Sequence, residues 1–181
     1  MKKKDIKLAA DELFQYAVKS LSRRAQSTAE LKAKLQRRAA EVSDIEGIIR
    51  RLEEYGYLND RRFAEGFATA RLENERFGKV RTLHDLRGRR IAGSLASAAV
   101  DQAYSEVDET ALIEEFIRRK YRAADRETLF KVDKDLAAAY RRLLRAGFRS
   151  GTIVKVLKRF AQNPDLLDSI EPDAEETPET N

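Results

Sequence analysis

The chain has no cysteine and no tryptophan, and only one methionine and one histidine among its 181 residues. Without cysteine it can build neither a disulfide framework nor a thiolate metal site. No apolar run approaches the roughly 20 residues that a membrane-spanning helix needs. The basic start, Met1-Lys2-Lys3-Lys4-Asp5, lacks the apolar region of a secretory signal. We therefore expect a cytoplasmic protein with no membrane partner.

Patterns that carry catalytic chemistry are missing as well. There is no Gly-x-x-x-x-Gly-Lys-Ser/Thr phosphate loop and no serine in a nucleophile elbow. The single histidine, His84, cannot hold a metal ion without other strong ligands. Adjacent carboxylates such as Glu53 and Glu54 point about 100° apart on a helix, so they form no acid–base pair. We expect no enzyme activity, no cofactor, no metal and no small-molecule substrate.

Charge, in contrast, is abundant and unevenly distributed. Charged residues make up 37% of the chain, more than the usual quarter. Of the 31 acidic residues, seven lie between Asp165 and Asn181, which leaves 24 against 36 Lys and Arg in residues 1–164, a net charge of +12. A body this basic attracts polyanions.

The acidic C-terminal segment, residues 163–181, has few large apolar side chains and contains Pro172 and Pro178. We expect it to be disordered. Two interpretations are open for it: a solubilising end, or a segment that competes with nucleic acid for the basic body.

Apolar residues recur only at helical spacing, as in Ile45, Ile48, Ile49, Leu52 and Tyr55, and nothing alternates as a strand would. Capping boxes are expected at Ser27-x-x-Glu30 and Ser43-x-x-Glu46. Other N-caps are expected at Asn59 and Asp108, and helices should end or restart at Gly56, Gly78, Gly88 and Gly147. These signals predict nine helices, near 10–23, 27–39, 43–55, 59–76, 79–88, 92–104, 108–122, 127–146 and 149–161.

An internal repeat of about 50 residues is visible in these helices. Glu30-Leu31, Thr82-Leu83 and Asp135-Leu136 each open a helix that ends in basic residues and is followed by a shorter apolar helix. We expect an all-α protein of three tandem three-helix repeats in an elongated, curved array. The predicted divisions are a flexible N-terminal segment 1–9, repeats 10–57, 58–106 and 107–162, and the disordered acidic tail 163–181.

One stretch carries a resemblance to a known family. It is Tyr57-Leu58-Asn59-Asp60-Arg61-Arg62-Phe63-Ala64, preceded by Ser27-x-x-Glu30-Leu31 and followed by Arg71, Gly78, Leu83 and Leu86. This order of features resembles the RecX family across about residues 13–160. The chain departs from the family pattern at Asn59, at Ala39, where glycine is frequent, and at Arg90, the corresponding position in the second repeat.

The residues of this motif are also consistent with a structural joint between the first two repeats. Gly56 can end a helix in the left-handed region, and Tyr57 and Leu58 should then be partly buried. Asn59 or Asp60 should cap the next helix, and Phe63 should point into the second repeat. The motif residues Tyr57, Leu58, Asp60, Phe63, Ala64, Arg71 and Gly78 are therefore interpreted as structural, with direct contact to a partner as the alternative.

The resemblance implies a regulator of the RecA recombinase in DNA repair, recombination and the SOS response. It implies that the protein binds the RecA–DNA nucleoprotein filament and inhibits strand exchange and ATP turnover. The partners would be the RecA filament and single- or double-stranded DNA. The alternative is a double-stranded DNA-binding transcription regulator with helix-turn-helix-like units, which acts without RecA.

Basic clusters near the end of the second helix of each repeat are the candidate binding residues. Stacked repeats would align them into one basic stripe suited to phosphates or to an acidic protein surface. The predicted stripe consists of Arg23, Arg24, Lys34, Arg37, Arg38, Arg87, Arg89, Arg90, Arg141, Arg142, Arg145 and Arg149. Aromatic residues are sparse among them, so stacking on single-stranded bases is not the expected mode.

Overall fold

The computed structural model of the chain describes residues 7–121, 130, 133–161 and 164–168. Within these residues it is all-α, as predicted, with two isolated bridges, Leu8 to Ala39 and Phe130 to Ala161, in place of any sheet. The helices are α1 (Ala10–Arg23), α2 (Thr28–Gln36), α3 (Asp44–Glu54), α4 (Asp60–Ala70), α5 (Lys79–Gly88), α6 (Gly93–Ala103), α7 (Glu109–Tyr121), α8 (Asp133–Arg145) and α9 (Ser150–Leu157). A π-helical turn, Arg71–Glu75, continues α4, and a 3₁₀ turn spans Pro164–Asp168.

The predicted helix boundaries agree with these to within a few residues in most cases. The fourth helix, predicted over 59–76, is α-helical only to Ala70 before it widens into the π-helical turn. The predicted start of the eighth helix at 127 lies outside the described residues, which show α8 from Asp133.

Three of the four predicted N-terminal caps are present. At α2 the Ser27 hydroxyl accepts the amide of Glu30 at 3.1 Å, and the Glu30 carboxylate accepts the amide of Ser27 at 3.2 Å. Asn59 accepts the amide of Arg62 at 2.9 Å, and Asp108 accepts that of Thr110 at 2.8 Å. The second capping box is wrong: Ser43 lies in the helical region (φ −57, ψ −28) and its side chain makes no cap bond. A cap needs extended backbone at this position, because only then does the hydroxyl reach the first turn.

The chain divides into two compact units, Met1–Ala70 with Leu83–Ala103, and Arg71–Thr82 with Tyr104–Asn181. Helix α5 therefore contributes residues to both units. The predicted division into three repeats stays a prediction.

The first unit has a core in which α1, α2 and α3 pack against one another. Its buried residues are Leu13, Ala17, Leu31, Leu35, Ala39, Ile45, Ile48, Ile49, Leu52 and Leu58. Beside it, α4 packs on α6, and the buried residues of these helices include the alanines Ala64 and Ala68 on α4 and Ala96 and Ala99 on α6. Small side chains on both faces allow the two helix backbones to approach closely.

The second unit has its own core, formed mainly by α7, α8 and α9. Its fully buried side chains include Ile113, Leu136, Tyr140, Ile153 and Leu157. The buried Tyr140 hydroxyl is satisfied by Ser150 at 2.9 Å. Among the segments packed against this core is the stretch before α5, which includes Leu72 and Phe77.

Both ends of the described chain are more ordered than the sequence predicts. In the expected flexible segment 1–9, Leu8 exchanges backbone hydrogen bonds with Arg38 at 2.7 Å and Ala40 at 2.9 Å. In the expected tail 163–181, residues Pro164–Asp168 form the 3₁₀ turn, and Leu167 is buried in the second core. Residues 169–181, and with them most of the acidic tail, lie outside the described residues.

Helices α3, α5 and α8 end in the same hydrogen-bonded turn. A residue with positive φ follows each one: Gly56 (φ 71), Arg90 (φ 59) and Gly147 (φ 88). The amide of the next residue, Tyr57, Ile91 or Phe148, then reaches back to the carbonyl of Leu52, Leu86 or Leu143. This is the Schellman arrangement, in which a left-handed residue satisfies the last helical carbonyls. Gly56 and Gly147 were predicted for this role, but Gly88 was not the residue used after α5.

A close backbone contact in the second unit joins the start of α5 to the turn after α8. The amide of Gly78 donates to the carbonyl of Ala146 at 2.8 Å, and the amide of Val80 donates to that of Gly147 at 3.2 Å. A Cβ atom on Gly78 would overlap the carbonyl group of Gly147, and one on Gly147 would overlap Arg81. The motif glycine at position 78 therefore permits a close approach of two backbones, and its own φ is not left-handed.

Replacing Gly78 by alanine tests this contact. The added methyl group meets backbone on the facing turn, which cannot rotate away, so we expect a loss of about 1–3 kcal/mol in unfolding free energy. Gly66→Ala is the matched control, because a Cβ there meets nothing within 4 Å inside helix α4. That change should stabilise the protein by about 0.5–1 kcal/mol. Denaturant unfolding of both variants measures the difference, and equal stability of the two would contradict the close approach.

Candidate functional site: a basic groove in the first unit

The N-terminus of α2 is joined to the turn between α5 and α6 by a small network of polar residues. Besides capping its own helix, the fully buried Ser27 donates its hydroxyl proton to the carbonyl of Arg89 at 2.8 Å. The Glu30 carboxylate accepts a hydrogen bond from the Arg89 guanidinium, also at 2.8 Å. These bonds hold the α5–α6 turn beside α2, although 59 residues of sequence separate Glu30 from Arg89.

The start of α4 is tied to the same helix end. Asp60 accepts the amide of Thr28 at 2.7 Å. It therefore caps α2, whereas its neighbour Asn59 caps α4. A carboxylate at this helix N-terminus also interacts favourably with the helix dipole.

A groove of about 370 Å³ lies beside this junction. It is lined by Arg24, Gln26, Ala29, Glu30, Ala33, Lys34, Arg37, Gly88, Arg89 and Arg90. Five of these side chains are basic and one is acidic. The structure thus brings together five residues of the predicted stripe, from two stretches of sequence more than 50 residues apart.

Some basic residues of the groove have interaction partners within the protein, and others do not. Arg89 is paired with Glu30 and lies 4.8 Å from the centre of the Phe67 ring, so its side chain is only 29% exposed. Lys34 donates to the Ser20 hydroxyl at 2.5 Å and lies 5.7 Å from the Tyr16 ring. Although Arg89 belongs to the predicted stripe, its side chain is thus part of the junction with α2.

The other three, Arg24, Arg37 and Arg90, are exposed. Among the residues that the structure describes, none makes a side-chain hydrogen bond or ion pair with them. Guanidinium groups present several donors in one plane and match phosphate and carboxylate oxygens. With Lys34 they give the groove four cations that can face an anionic partner, and we name these four residues the groove cations.

Arg90 occupies its place at an energetic cost. Its φ of 59° lies in the left-handed region, where a side chain other than glycine costs roughly 1–2 kcal/mol. The equivalent turns after α3 and α8 use glycine. Backbone strain of this kind persists only where the surrounding structure fixes the conformation, here through the hydrogen bonds of the turn.

The remaining predicted stripe residues of the first unit do not line the groove. Arg23 and Arg87 are exposed outside it, and Arg38 lies 5.9 Å from the Tyr16 ring. In the first unit, therefore, only five of the predicted stripe residues line the groove.

The stripe residues of the second unit are on or just after α8. Arg141, Arg142 and Arg145 are exposed, and the Arg142 guanidinium lies 5.5 Å from the ring of Tyr121. Burial raises the pKa of the Tyr121 phenol, and the nearby Arg142 opposes that shift. Arg149 is paired with Glu109 at 2.9 Å, which offsets its charge.

A second basic cavity, which the sequence analysis did not assign, lies in the second unit. Its volume is about 480 Å³, and it is lined by Asn74, Glu75, Arg76, Phe116, Arg118, Arg119 and Lys120. Two of the cations have protein partners: Arg76 pairs with Glu115 at 2.9 Å, and Arg119 donates to the carbonyl of Asn74 at 3.2 Å. The run Arg118-Arg119-Lys120 is visible in the sequence, but nothing there connects it to Arg76.

The residues of the family motif differ in how deeply they are buried. Leu58 and Ala64 are buried, and Phe63 is half-buried and stacks on Phe67 at 6.1 Å. The expectation for Tyr57 was wrong, since this side chain is 53% exposed. Its amide makes the turn after α3, but the ring points outward while Leu58 fills the core.

Arg71, the next motif residue, lies 5.5 Å from the Phe77 ring. Close by, the Tyr104 hydroxyl donates to the carbonyl of Phe77 at 2.8 Å. Burial raises the pKa of Tyr104, and its hydrogen bond with Thr82 and the charge of Arg71 oppose this. Arg71 therefore lies among packed aromatic residues of the second unit.

Other kinds of site find no support in the described part of the chain. His84 is exposed and lies 3.9 Å from Asp85. No group of three or more potential metal ligands occurs among the described residues. None of the described helices is long and apolar enough to cross a membrane.

These features define the class of the protein as an all-α helical-repeat protein with a basic groove. Comparison with known proteins gives the family. Residues 14–52 match the model of the first three-helix domain of RecX. The protein named regulatory protein RecX in Syntrophotalea carbinolica is 31% identical over 137 residues, which cover 76% of this chain and 88% of the relative. That of Deinococcus radiodurans is 30% identical over 154 residues, 84% of this chain and 70% of the relative. The chain belongs to the RecX family of regulatory proteins.

A solved structure supports the fold. The crystal structure of RecX from Lactobacillus salivarius matches 83% of this chain and 96% of its own with a TM-score of 0.61, at 19% sequence identity.

The junction at the α2 N-terminus can be tested with one pair of substitutions. Ser27→Ala removes both a helix cap and the bond to the α5–α6 turn, and should lower the unfolding free energy by about 1–2 kcal/mol. Ser43→Ala, in the same sequence pattern, should have an effect within about 0.5 kcal/mol, because Ser43 makes no cap bond. Chemical denaturation measures both, and equal losses in the two variants would show that the Ser27 bonds contribute nothing particular.

Proposed function

We propose that this chain regulates the RecA recombinase: it binds the RecA–DNA filament and inhibits strand exchange and ATP turnover, and so acts in DNA repair and recombination. Membership of a family of regulatory proteins named RecX supports this assignment. The observation that carries it in the molecule itself is the basic groove of the first unit, with three guanidinium groups that face solvent.

The charge of the groove suits a filament that contains DNA. Cations that contact phosphates release condensed counterions, so the binding should weaken steeply as salt increases. Repeated helical units can also contact successive subunits of a polymer, and weak contacts then add through their effective concentration. The alternative of a DNA-binding protein independent of RecA uses the same groove and differs only in the partner that it requires.

A titration against RecA tests the proposal. Increasing amounts of the wild-type chain should lower the ATPase activity of RecA on single-stranded DNA. No change at micromolar excess would contradict it. Binding to naked duplex at physiological salt, with equal affinity in the absence of RecA, would favour the alternative.

The contribution of the groove is measured with charge reversals. Arg37→Glu combined with Arg90→Glu should weaken filament binding about tenfold or more, equivalent to about 1.4 kcal/mol, and should reduce the salt dependence. Arg23→Glu combined with Arg87→Glu changes the net charge equally at exposed positions outside the groove, and should have a much smaller effect. Equal losses in the two double variants would show that net charge matters and the groove does not.

A separate prediction follows from the strained backbone of Arg90. Arg90→Gly removes both the backbone strain and the side chain. The free energy of unfolding should therefore rise by up to about 1 kcal/mol, whereas the affinity for the filament should fall. Thermal or chemical unfolding and a filament-binding titration provide the two readouts. A variant that binds as well as the wild type would place Arg90 outside the binding surface.

A further inference from the structure

The first unit also exposes an aromatic surface, which the basic groove does not include. Tyr55 and Tyr57 are 61% and 53% exposed, although large apolar side chains are usually covered. The Phe14 ring meets that of Tyr55 edge to face at 6.3 Å between centroids, and the Tyr55 ring meets that of Tyr57 in the same way at 6.4 Å. The Arg51 guanidinium lies 4.3 Å from the centre of the Phe14 ring. We name these four residues the aromatic cluster.

The cluster is held in place by the turn that ends α3. Gly56, with φ 71, lets the Tyr57 amide donate to the carbonyl of Leu52 at 2.9 Å. Leu58, next in sequence, is buried in the core of the first unit and anchors the turn there. The Arg62 guanidinium donates to the carbonyl of Gly56 at 2.9 Å, which restrains the turn further. A surface held in this way loses little conformational entropy when it binds.

The chemistry of the cluster is that of a protein-binding surface. Tyrosine and arginine are enriched among the residues that dominate binding energy between proteins. Each tyrosine buries a large ring at a small entropic cost and offers a hydroxyl. Within the described part of the chain, neither the Tyr55 nor the Tyr57 hydroxyl has a hydrogen-bond partner, so both can bond to a partner's carbonyl groups.

Local charge distinguishes this surface from the groove. Residues 50–62 contain four arginines and three acidic residues, a net charge of +1. Glu53 and Glu54 are exposed beside the tyrosines and offset much of the arginine charge, so this surface is far less basic than the groove, which has five basic residues and one acidic residue. The rings are also nearly perpendicular, at 82° and 87°, which offers no row of parallel faces for successive bases. A neutral protein surface fits the cluster better than a nucleic acid does.

We propose that the aromatic cluster is a docking surface for the protein component of the filament, and that it binds a segment with apolar side chains and accessible backbone carbonyls. This inference rests on the proposed function. It assigns the contacts with the filament to two separate surfaces of the first unit. The groove cations face acidic groups or phosphates, whereas the aromatic cluster contacts protein alone.

The test is a full-length double variant, Tyr55→Ser with Tyr57→Ser. Both rings are exposed, so the fold should be retained, as circular dichroism and a thermal melt would show. Its affinity for a preformed RecA filament on single-stranded DNA should fall about tenfold or more, while its affinity for naked duplex DNA should stay within about twofold of the wild type. Val42→Ser is the matched control, since Val42 is 63% exposed outside the cluster and its loss should leave both affinities unchanged.

The outcomes separate the inference from the function on which it rests. Wild-type filament binding together with an equal affinity of the double variant overturns the docking surface and leaves the proposed function intact. Failure of the wild type itself to bind the filament overturns both. Parallel losses for filament and naked duplex would mean that the rings contact nucleic acid, and a wild-type dimer that the variant loses in sedimentation would mean that they contact a second copy. Either result overturns the inference.

If the double variant melts at a lower temperature, the single variant Tyr57→Ser takes its place. The Tyr57 ring contacts only the edge of Tyr55 among the described aromatic rings, so its loss disturbs the core least. The same selective loss of filament affinity, about threefold or more, is expected, and an unchanged affinity overturns the inference.

Discussion

The hydrogen bonds of Ser27 are the constraint on which the rest of the first unit depends. This one hydroxyl accepts from the amide of Glu30 and donates to the carbonyl of Arg89, in a fully buried position. A single atom thus satisfies two backbone groups, an amide in α2 and a carbonyl in the α5–α6 turn, and removing it would leave both without this partner. Because Glu30 then binds the Arg89 guanidinium, the α5–α6 turn has one position beside α2. Residues Gly88, Arg89 and Arg90 of that turn line the groove, so its shape depends on where the turn is held.

Much of the fold could be predicted from the sequence, because helical periodicity and capping are local properties. The stripe of Ile45, Ile48, Ile49 and Leu52 fixes both the extent and the buried face of α3. The limits appear where the local pattern is the same but the environment differs. Ser27 and Ser43 both begin a Ser-x-x-Glu pattern, and only Ser27 has extended backbone. That difference is set by how the preceding loop packs, which the four residues of the pattern do not contain.

The candidate site shows the same division between local and non-local information. The basic residues of the groove are evident in the sequence, but their roles are not. Arg89 and Arg90 are neighbours, yet one is bound to Glu30 and the other is exposed at the groove. Likewise, Tyr57 and Leu58 are both apolar after a helix end, and only Leu58 is buried. In each pair, the position of the left-handed residue decides which side chain points into the protein. After α5 that residue is Arg90 and not the predicted Gly88, so the sequence pattern did not identify it.

The three left-handed turns suggest how this scaffold acquires binding residues. After α3 and α8 the turn uses glycine, which adopts positive φ without strain, and the neighbouring residues do the packing. After α5 the same hydrogen bonds form around Arg90, so the backbone geometry does not require an arginine there. The fold would be at least as stable with glycine at this position. Arg76 (φ 56) is the other described arginine with left-handed backbone, and it pairs with Glu115. Arg90 instead lies at a groove of other exposed cations, which is why we propose it as a binding residue.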